Sequence, residues 1–533
     1  MPTITQGSSA DITVSADSTL TVQNPGGYCK VENPIGTVIR EGGAASWPVN
    51  VTAGSVRITA VTGGVWYELT ADPRAGQAVQ VEAHRSGAGV VLSAGSTLLA
   101  PQFNALSGKT MALFGNSIAK QNAVGYSAAG KFDYHGHVHW ANAFLGAPMR
   151  WSTYGGRGGV GSDPTGTGQA QLNNGVFGWS GATTTQLDAY FDRFCDASGA
   201  DFVFIHALEN DLLAGAGSAA VACANVMRWV SYAVRAGKYP VVIGPLPSTS
   251  FNTSTMGVEY WTLDRMLADL AKLNRFFCYV PCGDLYTDTT AAGAQPLLTG
   301  SFAGYTDGTI HPRRASILIG DRIASALEAS GFVGWPSLPG GAATGSSAPN
   351  VVGRNTGLIG TAGTATAPAT GSVATWMTIN ATTMTSCLCS KIVRTGREWQ
   401  KVVASYAGVA AQHGNNFYGQ YETTNWAVGD YVQVFADIEF DPSVAFANWQ
   451  GTQIQLQQSG GTGDGYGFSI GTADAAIALW PAGRVARMYS PEMAVSVGTT
   501  SIRGLILNRT GPSVTAADWT WMLGYNGIIN LSR

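Results

Sequence analysis

The sequence predicts a multidomain protein with a central α/β domain, a doubly wound parallel sheet, between two all-β regions. Three observations point that way. From Met111 to about residue 330, continuous apolar runs alternate with longer amphipathic segments. Before Pro101 the chain alternates apolar and polar residues between glycine-rich turns. After Pro336 a Pro/Gly/Ser-rich stretch leads back into β-texture. With 533 residues, the chain is also too long for a single core.

Residues 1–100 carry ADITVSADSTLTVQN, GTVIREGG, SVRITAV and VWYELTA, separated by PGG, EGG and TGG turns, which predicts a small all-β domain. In residues 101–335 each short apolar run is followed by a helical pattern. MALFG precedes VHWANAFLG, and MRWSTYG precedes TTQLDAYFDRF. FVFIHAL precedes VACANVMRWVSYAVRAG, PVVIGPLP precedes TLDRMLADLAKLNRF, and FCYVPCG precedes ASILIGDRIASALEAS. Buried strands between covering helices mean a parallel sheet with both faces covered. Residues 336–533 begin with the linker PSLPGGAATGSSAPN and continue through TWMTINATT, YVQVFADIEF, TQIQLQQ, AIALW and SIRGLIL. That pattern predicts a sandwich or jelly roll, with carbohydrate binding as one expectation for it. Few contacts are expected across such a linker, so the central region should fold as a separate unit.

Composition narrows the function. Charged residues make up 12% and the net charge is −3, so no basic footprint exists for nucleic acid. The seven cysteines are odd in number and scattered, which is not a disulfide framework. Cys387 and Cys389 form a CxC pair without a second pair at zinc-ligand spacing, so no metal is expected there. No apolar run reaches the length of a membrane helix, and MPTITQGSSADITVS lacks the basic and apolar regions of a secretory leader.

In an open α/β sheet, reactive groups collect on the loops at the carboxyl ends of the strands, and four such loops stand out. MALFG ends in Gly115-Asn116-Ser117, where a serine at a tight turn presents its oxygen to the crevice; an ordinary helix cap is the alternative. In GWSGATTTQLDAYF, Gly181 precedes a helix and can turn its N–H to a ligand, or the loop is a plain cap with Thr183 or Thr184 as N-cap. FVFIHAL runs into Glu209-Asn210-Asp211, where Asn210 can aim an amide at an oxyanion or can simply stabilise the turn. YTDGTIHPRRAS holds Asp307 and His311 close together, a carboxylate that could orient an imidazole.

The order nucleophile, glycine, asparagine, Asp/His resembles that of the SGNH hydrolases, the GDSL-like lipases and esterases. FGNS is similar to the family's GDS block and SGATT to its glycine block. LEND matches GxND at Asn210 and Asp211, with Leu208 where the family has glycine. DGTIH resembles DxxH with one residue more. The resemblance implies a flavodoxin-like domain with Ser117 as nucleophile, His311 as base and Asp307 as supporting acid, unless the site is a Ser–His dyad. It also implies an oxyanion hole from the Ser117 N–H, Gly181 and Asn210, and no cofactor.

Three further features bear on the site. His135, His137 and His139 form an HxHxH run, read as a loop bordering the cleft rather than a metal site. Trp179 and Tyr305 fall near predicted strand ends, where they could stack on a sugar, while Trp151 is equally suited to core packing. The expected activity is therefore serine ester hydrolysis, with an acetylated polysaccharide as substrate. The low-charge β flanks resemble those of bacteriophage tail spikes and tail fibres, which implies a homotrimer on a virion tail. A non-catalytic glycan-binding adhesin and a secreted bacterial carbohydrate esterase are the alternatives.

Overall fold

A computed structural model describes most of residues 106–533 apart from 286–315, 333–350 and shorter stretches; before residue 95 it describes strand backbones only. Within those first residues, short strands from Thr3–Ile4 to Gly89–Ala94 pair antiparallel in two sheets.

The central sheet contains β1 (Thr110–Asn116), β2 (Arg150–Trp151), β3 (Ala170–Asn173), β4 (Val176–Trp179), β5 (Phe202–His206), β6 (Tyr239–Ile243) and β7 (Cys278–Val280). Its order is β3-β4-β1-β5-β6-β7, and β2 continues the line of β4 along the first residues of β1. All pairings are parallel except that of β3 with β4. The strand order therefore reverses at β1, and the crevice of such a sheet opens beyond the carboxyl ends of the strands on either side of the reversal.

The helices are α1 (Ser117–Ala123), α2 (His137–Phe144), α3 (Thr184–Ala197), α4 (Glu209–Leu212), α5 (Ser218–Arg235), α6 (Ser254–Leu273) and α7 (Ser316–Ala329). Apolar residues on both sides of the central strands β1 and β5 bury both faces of the sheet. Ala112, Phe114, Val203 and Ile205 share a core with Leu187 and Phe191 of α3, Trp229 of α5 and Leu263 of α6. Phe114 stacks on Phe177 at 4.9 Å and meets Phe191 and Trp229 edge-on. Met111, Leu113, Phe202 and Phe204 face the other way, towards Phe144 of α2 and Ile323 of α7. Gly320 is where α7 crosses α2, since a Cβ there would lie 2.3 Å from the Trp140 Cβ.

From Val351 onward the described residues form strands and no helix. Two sheets face each other, with Phe417 of one meeting Trp521 of the other edge-on at 6.2 Å. The expectation that few contacts join this region to the α/β region is corrected by the structure. Trp480 packs edge-on against Trp140 and Phe144 of α2, and the Arg484 guanidinium pairs with Asp321 and Glu328 of α7. Trp480→Ala is expected to cost about 3–5 kcal/mol, the usual price of emptying a buried tryptophan site. A fragment ending at residue 335 should likewise melt below the full chain. Equal melting temperatures for that fragment, the variant and the parent would show that the contact contributes nothing.

Candidate active site

Ser117 follows directly on the central strand. Asn116, the last residue of β1, is fully buried and its Oδ1 accepts from the Ile118 N–H at 2.9 Å, so Asn116 caps α1 and Ser117 is its first residue. The half-buried Ser117 hydroxyl has no hydrogen bond to any described residue. Gly115 could be nothing else, because a Cβ there would lie 1.8 Å from the His206 carbonyl oxygen of β5. Gly178, its register partner on β4, is equally constrained by the Lys120 backbone of α1. Two glycines thus let the helix that begins at Ser117 settle onto the sheet.

Gly181 lies two residues beyond β4, with φ +77° and open space where a Cβ would stand. Its N–H has no acceptor among the described residues. Thr183 behind it caps α3 in a reciprocal capping box with Gln186. A cap at Thr183 and an unbonded N–H at Gly181 are therefore compatible, because different residues carry them. Asn210 follows β5, and its Nδ2 donates to the Ala182 carbonyl at 2.9 Å, leaving the second amide hydrogen for another acceptor. Asp211 accepts from the Thr184 N–H and hydroxyl at 2.8 and 2.7 Å. The β4 and β5 loops are thereby tied to each other at the carboxyl edge of the sheet. Leu208, where the resemblance leads one to expect glycine, is buried with φ −92°, so no left-handed backbone is demanded there.

Beneath Ser117 lies a buried polar network that the sequence did not announce. Glu209 Oε2 accepts from Asn116 Nδ2 at 2.7 Å. Its Oε1 meets His206 Nε2 at 2.8 Å and accepts from the Leu246 N–H at 3.1 Å. His206 Nδ1 meets His137 Nε2 at 3.0 Å. Asn116, Glu209, His206 and His137 are all fully buried. An ionised Glu209 can only accept, so His206 Nε2 carries the proton between them. Burial alone would raise the Glu209 carboxyl, but the charge of His206 and the hydrogen bonds from His206 and Asn116 outweigh it and hold it low. Burial, with His206 and His139 nearby, keeps the His137 ring neutral well below its ordinary value.

Both shifts act in the same direction on stability. Where folding depresses a pKa, the unfolded chain takes up the proton first. The stability gained is whole above the unfolded value and is lost as pH falls towards the folded one. For His137 the loss begins near pH 6.5, and for Glu209 near pH 4.5. The urea midpoint should therefore fall between about pH 7.5 and about pH 5.5, and fall less in His137→Gln. An equal fall in parent and variant would remove His137 as the cause.

The other sequence candidates fare differently. His311, Asp307 and Tyr305 lie outside the described residues, as does His135. Trp179 ends β4 half-buried, with its ring edge-on to Tyr190 at 5.6 Å. Trp151 donates from Nε1 to His139 Nδ1 at 3.1 Å. Of the HxHxH run, His137 belongs to the buried network and His139 to this contact. The signal for the network was present in the sequence only as His206 and Glu209 at a strand end, three residues apart; their partners Asn116 and His137 come from distant segments.

No family model matches the chain, and no curated protein matches it. Among solved structures, an acetylxylan esterase from Geobacillus stearothermophilus is similar at 17% identity, over 44% of this chain and 98% of that one, with a TM-score of 0.29. A GDSL-like lipase from Bacteroides thetaiotaomicron is similar at 14% identity, over 42% of this chain and 87% of that one, with a TM-score of 0.27. Likeness at that level carries no functional conclusion for this chain.

Proposed function

We propose that this chain is a serine carboxyl-ester hydrolase of the SGNH kind that removes O-acetyl groups from a bacterial surface polysaccharide. One observation carries the reading. Ser117, Gly181 and Asn210 follow three neighbouring parallel strands at one edge of the sheet, and the Ser117 hydroxyl and Gly181 N–H are uncommitted among the described residues. In the proposed reaction Ser117 Oγ attacks the ester carbonyl while His311 takes its proton. The oxyanion that forms accepts from the Gly181 N–H, the Asn210 amide and the Ser117 N–H. Collapse expels the sugar hydroxyl, which recovers the proton from His311, and water then releases acetate from Ser117 by the same route.

The polysaccharide is supported by the low-charge, strand-rich regions on either side, which suit a display surface. We extend the proposal to a homotrimer carried on a virion tail, on the resemblance of that layout to tail spikes. The direct test is acetate release from p-nitrophenyl acetate and from acetylated capsular polysaccharide by the full-length chain. A protein that binds capsule and releases no acetate from either would be an adhesin. Asp307→Asn and His311→Ala, measured side by side, separate the two base arrangements. Equally severe losses, about 10⁴-fold, mean a triad, whereas a loss of about tenfold at Asp307 alone means a dyad.

A further inference from the structure

Gly181 has nothing of its own to hold its N–H in place. Its φ of +77° is left-handed, and no atom lies within 4 Å of where a Cβ would stand. A donor that serves an oxyanion must nevertheless stay within about 0.5 Å of the productive position. The support therefore comes from the residues on either side. Before it, the Ser180 N–H donates to the Gln169 carbonyl at 3.2 Å. After it, the Ala182 carbonyl accepts from Asn210 Nδ2, and the Thr184 N–H and hydroxyl donate to Asp211. Asn225 of α5 sets the sense of that last bond. Its Nδ2 donates to Thr184 Oγ1 at 2.9 Å, so the hydroxyl gives its own proton to Asp211.

The helix α4 is a single turn, yet three consecutive side chains on it reach three separate segments. Glu209 accepts from Asn116, which caps the helix that begins at Ser117. Asn210 holds Ala182, and Asp211 holds the first residue of α3. One turn thus ties the Ser117 side of the site to the Gly181 side, and Asp211 is the link to α3. Asp211 is 5% exposed and Thr184 is fully buried. Burial raises the Asp211 carboxyl above its ordinary value, and the hydrogen bonds from Thr184 only oppose that rise. A buried carboxylate is a costly anchor for a helix that Thr183 already caps.

We infer that Asp211 is a positioning residue for the oxyanion hole, setting the Gly181 N–H through Thr184, and the Asn210 amide through their shared turn, relative to Ser117. The inference rests on the proposed ester hydrolysis at Ser117. Asp211 is committed to Thr184, so it acts through the donors rather than on the ester. Its effect should fall on the transition state, where the oxyanion exists, and leave substrate binding alone.

The test is p-nitrophenyl acetate turnover by the full-length chain. Asp211→Leu keeps the branched shape and should lower kcat by about 10²-fold or more, the scale of losing an oxyanion donor, with KM within about threefold. Thr184→Val keeps the N–H bond and should lower kcat by about tenfold. Asp211→Asn can accept the Thr184 N–H and donate to Thr184 Oγ1, so it should recover most of the turnover lost in Asp211→Leu. In an Asn210→Ala background Asp211→Leu should lose less than in the parent, because one donor that it positions is gone. Should Asp211→Leu fail to fold, Thr184→Val goes through the same cycle. No acetate release by the parent, or full activity in Ser117→Ala, would overturn the hydrolase reading and this inference with it. With the parent active and Ser117→Ala inactive, either of two results would overturn this inference alone: parent-like kcat in the folded variants, or losses that multiply in full with Asn210→Ala.

Discussion

Ser117→Ala is expected to lower acetyl-ester hydrolysis by about four orders of magnitude, the scale on which removing a nucleophile acts. The fold should not register the change. The hydroxyl makes no hydrogen bond to a described residue, and the cap of α1 belongs to Asn116, so alanine at its first helical position leaves both the cap and the packing in place. Circular dichroism and melting temperature should match the parent while p-nitrophenyl acetate turnover collapses. Near-normal turnover in a folded variant would end the assignment of Ser117, and with it the esterase reading.

Glu209 should matter to stability and turnover together. Its carboxylate accepts from Asn116, Leu246 and His206 in a fully buried setting. Glu209→Ala leaves all three donors without an acceptor and is expected to cost about 3–5 kcal/mol, the range for removing one partner of a buried ionic pair. Glu209→Gln is the more informative change. A glutamine amide oxygen can serve His206 and Leu246, but its NH₂ then faces the Asn116 NH₂. Asn116 cannot turn over without giving up the Ile118 N–H. No orientation satisfies every group, so the variant should lose about 1–3 kcal/mol. The strain falls on the residue that positions Ser117, so kcat should drop with little change in KM. Normal kcat in a destabilised Glu209→Gln would show the network to be structural only.

The sequence indicated the elements well because their periods are strong. MALFG, FVFIHAL and PVVIGPLP are short, continuous apolar runs, as strands covered on both faces must be, and VACANVMRWVSYAVRAG covers all but the first three residues of α5 (Ser218–Arg235). The glycine of FGNS was legible as part of a turn, but its reason is a contact with the His206 carbonyl on a neighbouring strand 91 residues later in the chain. The linker from Pro336 was legible as composition, yet it gave no sign of the contacts that cross it. The packing of Trp480 on Trp140 and Phe144 joins positions more than 300 residues apart in sequence, and no local pattern encodes it.

By itself, the sequence determined the alternation of strand and helix, the turn glycines, and the order of candidate groups from Ser117 through Gly181 and Asn210 to His311. Each of these depends on neighbouring residues and periodicity, which the chain carries locally. Only the tertiary structure decided that Asn116, Glu209, His206 and His137 share one buried network, and that Asn210 bonds back to the Gly181 loop. It likewise left the buried Asn526 Oδ1 without a hydrogen-bond partner. Such groupings come from strand order and register, which bring distant segments together, and hydrogen bonds between them act only once the fold has closed.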